Sequence, residues 1–138
     1  MDSEQLTVDR AIGGSRVRSH RDLIVWQKAM DLVDRIYDLA EGFPAREGFG
    51  LTSQITRAVV SVPANIAEGQ ARSTSRDFAN FLAIARGSLM ETETLLTVAV
   101  RRGFVGDLDT APAFRQITEV SKMLTSLRRQ IAAKGRRA

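Results

Sequence analysis

The chain contains no cysteine and only one histidine, His20. The lack of cysteine excludes a disulfide framework, a thiolate nucleophile and a cysteine-based zinc site. A di-metal site inside a helical bundle needs Glu-x-x-His pairs that project inward, and one histidine in a basic segment cannot supply them. We therefore expect no metal site and no cofactor.

Motifs that carry catalysis are also missing. The sequence has no phosphate-binding Gly-x-x-x-x-Gly-Lys-[Ser/Thr] loop and no Gly-x-Ser-x-Gly nucleophile elbow. Glu68, Glu91 and Glu93 are carboxylates with no evident base, nucleophile or metal ligand beside them. Paired carboxylates can in principle carry out acid–base chemistry, but this pattern alone does not indicate it. The sequence therefore predicts a protein that is not an enzyme.

Long apolar runs are absent as well. The longest, such as "LIVW", are far too short to span a bilayer. The opening "MDSEQLTVDRAIGG" has no apolar core of signal-peptide length. A chain of 138 residues suits a single domain with a core of its own. We expect a soluble, cytoplasmic protein with no membrane partner.

The net charge of +4 is concentrated at the two ends of the chain. Acids and arginines nearly balance between residues 41 and 100, whereas the segment before residue 22 and the last third are basic. Basic ends on a neutral middle favour a polyanion partner. Solvated ends that only keep the protein soluble are the alternative interpretation.

Apolar periodicity predicts four helices and no strand. The helices are expected at residues 22–41, 51–68, 76–102 and from about 109 to 133. Gly69 is a candidate C-cap of the second helix, and Ser73, Thr74 or Ser75 can cap the third. Asp109 or Thr110 can cap the fourth, and Pro112 fits its first turn. Short connections predict an all-α, up-down-up-down antiparallel four-helix bundle over residues 21–133. Residues 1–20 are expected to form a flexible basic arm and residues 134–138 a basic tail.

The apolar faces of the first and third helices are broader than one stripe. The first helix carries its main apolar stripe at spacings of three and four: Leu23, Trp26, Met30, Val33, Tyr37 and Ala40. Further apolar residues lie beside the two stripes: Ile24, Val25 and Leu32 in the first helix, and Ile84, Met90 and Val98 in the third. Partial exposure and a subunit interface both account for them.

The second helix contains a proline, Pro63, although proline costs about 3 kcal/mol in a helix interior. Ile55, Val59, Val62 and Ile66 keep their register across it, which predicts one kinked helix. Gly87 in the third helix is a second costly small residue, so we expect the helices to approach closely there. Polar residues nearby are predicted to form an inter-helix hydrogen-bond network: Ser61, Asn65 and Glu68 with Ser88 and Glu91.

Several motifs resemble one family. The shorter motifs are Trp26-x-x-Ala29, Ile36–Tyr37, Phe43–Pro44 and Gly50–Leu51; the most specific are "RAVVSVPANIAEG" and "ARGSLMETETLL". Over about residues 21–104 the chain resembles the four-helix bundle proteins that are encoded by intervening sequences in bacterial large-subunit ribosomal RNA genes. The resemblance implies a bundle that assembles as a barrel-like homopentamer. It also implies similarity to the accessory variability determinant of diversity-generating retroelements, which binds a reverse transcriptase and nucleic acid through a basic surface.

Two functions follow as hypotheses. The first is a non-catalytic oligomeric module that binds nucleic acid, RNA in the first instance, with low specificity. Aromatic residues are only 6% of the chain, so we do not expect base stacking to dominate. The candidate phosphate-binding residues are Arg101, Arg102, Arg128, Arg129, Lys134, Arg136 and Arg137. The second hypothesis is a protein-interaction scaffold or accessory subunit for a partner enzyme such as a reverse transcriptase.

Overall fold

Four helices make up most of the part of the chain that the structure, a computed structural model, describes. This part is residues 18–137, with side chains described to residue 135. The helices are α1 (Ile24–Ala40), α2 (Leu51–Gln70), α3 (Ser75–Arg101) and α4 (Asp107–Arg137), with 3-10 turns at His20–Asp22 and Ala45–Glu47. Residues 18–137 contain no strand. The prediction of an all-α, four-helix protein is therefore confirmed.

The helices form a bundle in which α1 and α3 occupy opposite corners. Both α1 and α3 pack against α2, and both pack against α4. The rings of Phe43, after α1, and Phe104, after α3, lie 6.2 Å apart, so both connections are at one end of the bundle. The Lys28 ammonium lies 2.7 Å from Oε1 of Glu119 and so joins α1 to α4. This hydrogen bond raises the pKa of Lys28. The helices therefore alternate in direction along the bundle.

The core face of α1 differs from the predicted stripe. Val25, Ala29, Leu32 and Ile36 are buried, although Val25 and Leu32 were expected beside the main stripe. Met30 and Tyr37 remain substantially exposed, and Trp26 and Val33 are half-buried at the edge of the core. The compact aliphatic stripe fills the centre, whereas the larger, amphipathic side chains lie at its rim, where they stay in contact with water.

The N-terminal boundary begins earlier than predicted. Ser19 Oγ accepts a hydrogen bond from the Arg21 backbone N–H and so caps the 3-10 turn. The backbone N–H of Arg18 donates to Asp22, which lowers the pKa of that carboxyl. The His20 ring lies 5.0 Å from the Trp26 ring in an edge arrangement. Residues 18–20 therefore contact the start of the bundle, whereas residues 1–17 of the predicted arm lie outside the described residues.

Helix ends follow the predicted capping chemistry in α3 and depart from it in α4. Thr74 caps α3 by accepting a hydrogen bond from the Asp77 N–H, as one of the predicted caps. Gly103 ends α3 at φ +75°. The N–H groups of Gly103 and Phe104 donate back to Val100 and Ala99, which is the Schellman arrangement.

The corrections concern α4. It starts at Asp107, so Pro112 lies in the second turn and not the first. The helix also continues to Arg137, through most of the predicted tail. The Thr110 hydroxyl donates back to the carbonyl oxygens of Gly106 and Asp107, and so does not act as the N-cap.

Pro63 lies inside a single continuous helix, as predicted. α2 runs from Leu51 to Gln70 through Pro63, which is buried, and the four apolar residues that span the proline are fully buried: Ile55, Val59, Val62 and Ile66. Because proline has no N–H, the Val59 carbonyl lacks its usual helical donor. Burial of this whole stripe offsets that loss.

Close helix packing occurs at Gly69 instead of Gly87. A Cβ at Gly69 would lie 2.7 Å from the Phe81 Cβ, and one at Gly87 would meet nothing within 4 Å. The prediction that Gly87 permits close approach of helices within the chain is therefore wrong. The prediction that Gly69 is the C-cap of α2 is also wrong. Gly69 lies inside α2, where only a glycine fits because the side chains of α3 leave no room for a larger residue.

Candidate nucleic-acid interface

The second half of α4 lies against the first half of α3. The Arg128 Nε donates a hydrogen bond to the carbonyl oxygen of Ala79, at 3.2 Å. Near the C-terminal end of α4, a Cβ at Gly135 would lie 2.7 Å from the Ser75 Cβ, so the two backbones approach closely there. These contacts bring the basic end of α4 beside residues of α3 that are distant in sequence.

A surface groove runs between these two segments. It consists of two adjoining cavities of about 550 and 630 Å³, which share Arg128 and Ala132. We call it the α3–α4 groove. Four arginines line it, two from each helix: Arg76, Arg86, Arg128 and Arg129. None of its lining residues is acidic or aromatic.

The groove arginines are available to an external anion. All four are exposed. The ion pairs found within residues 18–137 involve Arg18, Lys28 and Arg72, and none of them involves a groove arginine. Arg128 is held by its Nε, which leaves its two terminal nitrogens for an anion. Guanidinium groups bind phosphate bidentately, so this surface suits a phosphate backbone.

The predicted basic residues separate into two groups. Arg128 and Arg129 line the groove, and Lys134 is exposed beside Gly135 at its end. Arg101 and Arg102 end α3, and at 1.5 Å per residue the stretch from Ala79 to Arg101 spans about 33 Å. The structure therefore does not bring the two arginine pairs together. The side chains of Arg136 and Arg137 lie outside the described residues.

Sequence reasoning missed Arg76 and Arg86. Both belong to the segment that is neutral overall, so a count of charges along the chain does not select them. The available signal is the antiparallel pairing of α3 with α4, which places the start of α3 beside the basic end of α4. Pairing the two helices before counting charge would have found both residues.

The predicted polar network is present in part. The Ser61 and Ser88 hydroxyls lie 2.9 Å apart across α2 and α3, and the Asn65 amide donates to Ser61 Oγ at 2.9 Å. Glu68 instead forms an ion pair at 2.6 Å with Arg72, four residues later in the chain. Glu91 is exposed and does not join the network. The two hydroxyls meet across the interface and the Asn65 amide bonds to Ser61 within α2, whereas the longer carboxylates stay in water.

Within residues 18–137, histidine, aspartate and glutamate do not gather in any group of three that could hold a metal ion. None of the described helices combines the length and apolarity needed to cross a membrane.

Comparison with known proteins places this bundle in a family. The family model of the 23S rRNA-intervening sequence protein matches residues 21–126. The chain belongs to this family. The match covers α1 to α3 and much of α4, and it ends before Arg128, Arg129 and Lys134.

A solved structure agrees with the assignment. A protein of the S23 ribosomal protein family from Bacteroides thetaiotaomicron shares 28% identity with the chain, at a TM-score of 0.70. The alignment covers 75% of this intervening sequence family member and 97% of the Bacteroides protein. No curated protein matches the chain.

Proposed function

We propose that this protein is a non-catalytic cytoplasmic module that self-associates and binds nucleic acid through the α3–α4 groove. The observation that carries the proposal is the cluster of four exposed arginines with no acidic residue among the groove's lining residues. Phosphate contacts of this kind supply affinity without reading sequence. We therefore expect low sequence specificity.

RNA is the first ligand to test. The family is described by an intervening sequence of 23S rRNA, which favours RNA over DNA as the ligand. The groove has no aromatic lining residue on which unpaired bases could stack. Binding should therefore depend on the phosphate backbone, and salt should weaken it strongly.

Self-association would strengthen this binding. A barrel-like homopentamer, which the family resemblance implies, would concentrate a charge of about +20 from five chains of +4. Several grooves on one particle turn weak phosphate contacts into useful avidity. We include in the same proposal that this protein is related to the accessory variability determinant of diversity-generating retroelements.

The test compares one pair of groove arginines with the pair of arginines at the end of α3. The groove variant carries Arg86→Gln and Arg129→Gln, and its charge-matched control carries Arg101→Gln and Arg102→Gln. Binding of a fluorescent RNA duplex is measured against salt concentration on nuclease-treated protein. Each lost phosphate contact should reduce the slope of log affinity against log salt by about 0.7 to 0.9. We expect this loss in the groove variant and a smaller one in the control; equal losses or no RNA binding would refute the proposal.

A second candidate function rests on the opposite end of the bundle. Phe49 and Leu108 are 105% and 91% exposed there, near the connections that contain Arg46 and Arg102. Large apolar side chains in such positions favour a protein partner. An accessory role for an enzyme such as a reverse transcriptase would use this end. Co-purification of a polymerase from the native host after nuclease treatment, and its loss in Phe49→Ser, would support this role.

A further inference from the structure

The arginines of the α3–α4 groove form a cluster of one sign. Arg76 and Arg86 come from α3, Arg128 and Arg129 come from α4, and none of the described lining residues is acidic. The ion pairs found within residues 18–137 involve none of the four. Like charges gathered in one place repel each other, so the cluster favours a bound acidic group.

The first nine residues of the chain carry the opposite charge. Asp2, Glu4 and Asp9 are acidic, and the first basic residue of the sequence is Arg10. These nine residues lie outside the part of the chain that the structure describes. The same chain therefore contains a segment whose charge is complementary to that of the groove. We call residues 2–9 the acidic segment.

The described part of the chain begins at the end of the bundle where the groove opens. The connections after α1 and α3 share one end of the bundle, so both helices start at the other end. The larger cavity of the groove is lined there by residues 73–76 of the α3 start and by Gly135 of α4. The Arg18 N–H donates to the Asp22 carboxylate just before α1. The acidic segment therefore joins the bundle at the same end as this cavity.

The linker between the acidic segment and the bundle is long enough to reach the groove. Packed helices lie about 8 to 10 Å apart, so α1 and α3 at opposite corners are about 11 to 14 Å apart. Asp9 precedes Arg18 by nine positions. An extended chain spans about 30 Å over nine residues, which is more than the width of the bundle end.

The spacing of the acids matches the spacing of the arginines along the groove. Arg76 and Arg86 are ten residues apart in α3, which corresponds to about 15 Å along the helix axis. Glu4 and Asp9 are five residues apart, which corresponds to about 17 Å in an extended chain. Because Asp9 is the acid nearest the described chain, it belongs at the Arg76 end of the groove and Glu4 at the Arg86 end.

We propose that the acidic segment occupies the α3–α4 groove of its own chain and competes there with nucleic acid. This proposal rests on the proposed function and adds a control to it, since nucleic acid must displace the segment before it binds. Exposed ion pairs are individually weak, but a segment on a short tether acts at a local concentration of roughly millimolar. The segment therefore excludes weak polyanions and yields to a ligand that makes many phosphate contacts.

The size of the effect follows from the fraction of molecules whose groove is open. Apparent affinity for RNA is the intrinsic affinity multiplied by that fraction. With a few exposed ion pairs closing the groove, we expect about one half to one tenth of the molecules to be open at low salt. Removing the acids should then raise RNA affinity about two- to tenfold, and salt should abolish the gain because it screens exposed charges.

The first experiment neutralises the acidic segment. The segment variant replaces its three acids: Asp2→Asn, Glu4→Gln and Asp9→Asn. The control replaces three exposed acids of α1, at the corner opposite α3, and so changes the net charge equally: Asp31→Asn, Asp34→Asn and Asp38→Asn. None of the three control acids takes part in an ion pair found within residues 18–137. Affinity for the RNA duplex is measured at low and high salt on nuclease-treated full-length protein.

The segment variant should gain more RNA affinity than the control at low salt, and the difference should vanish at high salt. In a background that also carries Arg86→Gln and Arg129→Gln, the advantage of the segment variant over the control should be lost. Equal gains in the segment variant and the control would overturn the proposal, because they would show an effect of net charge alone.

The second experiment detects the contact without nucleic acid. Because the chain has no cysteine, two introduced cysteines allow one disulfide within a chain. The groove pair is Ser3→Cys with Thr125→Cys, since Thr125 lines the groove. The control pair is Ser3→Cys with Ser126→Cys. Ser126 is exposed two turns after Glu119, on the side of α4 toward α1, so nearness to the start of the described chain alone favours the control pair.

Mild oxidation should form the disulfide within a chain faster in the groove pair than in the control pair, as read on a non-reducing gel. High salt or added RNA duplex should remove this difference. Equal rates, no effect of RNA, or a groove pair that links two chains would overturn the proposal. A groove that traps the acidic segment in a protein that binds no RNA would refute the proposed function alone, so the two failures are distinguishable.

Discussion

Arg128 of α4 donates a hydrogen bond from Nε to the carbonyl oxygen of Ala79 in α3, at 3.2 Å. This contact fixes one guanidinium at the junction of the two cavities of the groove. Its neighbour Arg129 lines the groove without a hydrogen bond to α3 among the described residues. The two adjacent arginines therefore differ, because the first is hydrogen-bonded to α3 and the second is not.

Separate effects are expected from these two arginines. Arg128→Gln should lower both RNA affinity and stability, the latter by about 0.5 to 1.5 kcal/mol for the lost hydrogen bond. Arg129→Gln should lower RNA affinity and leave stability within about 0.5 kcal/mol, as for other surface substitutions. Urea unfolding and RNA titration of both variants test this. Equal stability of the two variants would show that the Ala79 contact contributes little.

The Ser61–Ser88 contact should stabilise the α2–α3 interface. A double-mutant cycle with Ser61→Ala and Ser88→Ala should give a coupling energy of about 0.5 to 1.5 kcal/mol, measured by urea unfolding. The Asn65 amide also donates to the Ser61 hydroxyl, so Ser61→Ala should cost more than Ser88→Ala. Strictly additive effects would show that the hydroxyls do not interact.

The two glycines in the helices should respond oppositely to alanine. Gly69→Ala should destabilise the fold by about 1 to 3 kcal/mol, because its Cβ would overlap Phe81 and Phe78. Gly87→Ala should stabilise a single chain by up to about 1 kcal/mol, because it improves helix propensity and meets no atom. Both are measured by urea unfolding of the full-length protein. A stable Gly69→Ala would show that α2 and α3 can separate locally at little cost.

Pro63 should be architectural. Pro63→Ala should leave RNA affinity per folded molecule unchanged while it alters stability or assembly, because Pro63 is buried in α2 and lines no part of the α3–α4 groove. The measurements are RNA titration, urea unfolding and mass in solution. Loss of RNA binding with unchanged stability and mass would contradict this role.

Periodicity predicted the helices but did not determine which apolar stripe of α1 is buried. Two stripes overlap there, and only packing against α2 and α4 selects Val25 and Leu32 over Met30 and Tyr37. The same limit applies to Gly69 and Gly87, which are both glycines in helices and differ only in what lies above them.

Charge along the chain predicted part of the candidate interface. The basic end of α4 is evident in the sequence, which therefore predicts Arg128, Arg129 and Lys134. Arg76 and Arg86 join them only through the pairing of α3 with α4, and Arg101 is separated from them by the length of α3. Such a site is a property of the helix arrangement, which a linear count of charge does not contain.

Mapping the bound RNA onto the chain tests the central claim most directly. The nuclease-treated protein is saturated with a defined RNA duplex and cross-linked by ultraviolet light, and the RNA-bearing peptides are identified by mass spectrometry. The account predicts cross-links within residues 73–86 and 124–135, and their loss when Arg86 and Arg129 are both glutamine. Cross-links concentrated around residues 97–109, or none above background, would contradict the assignment of the α3–α4 groove as the nucleic-acid interface.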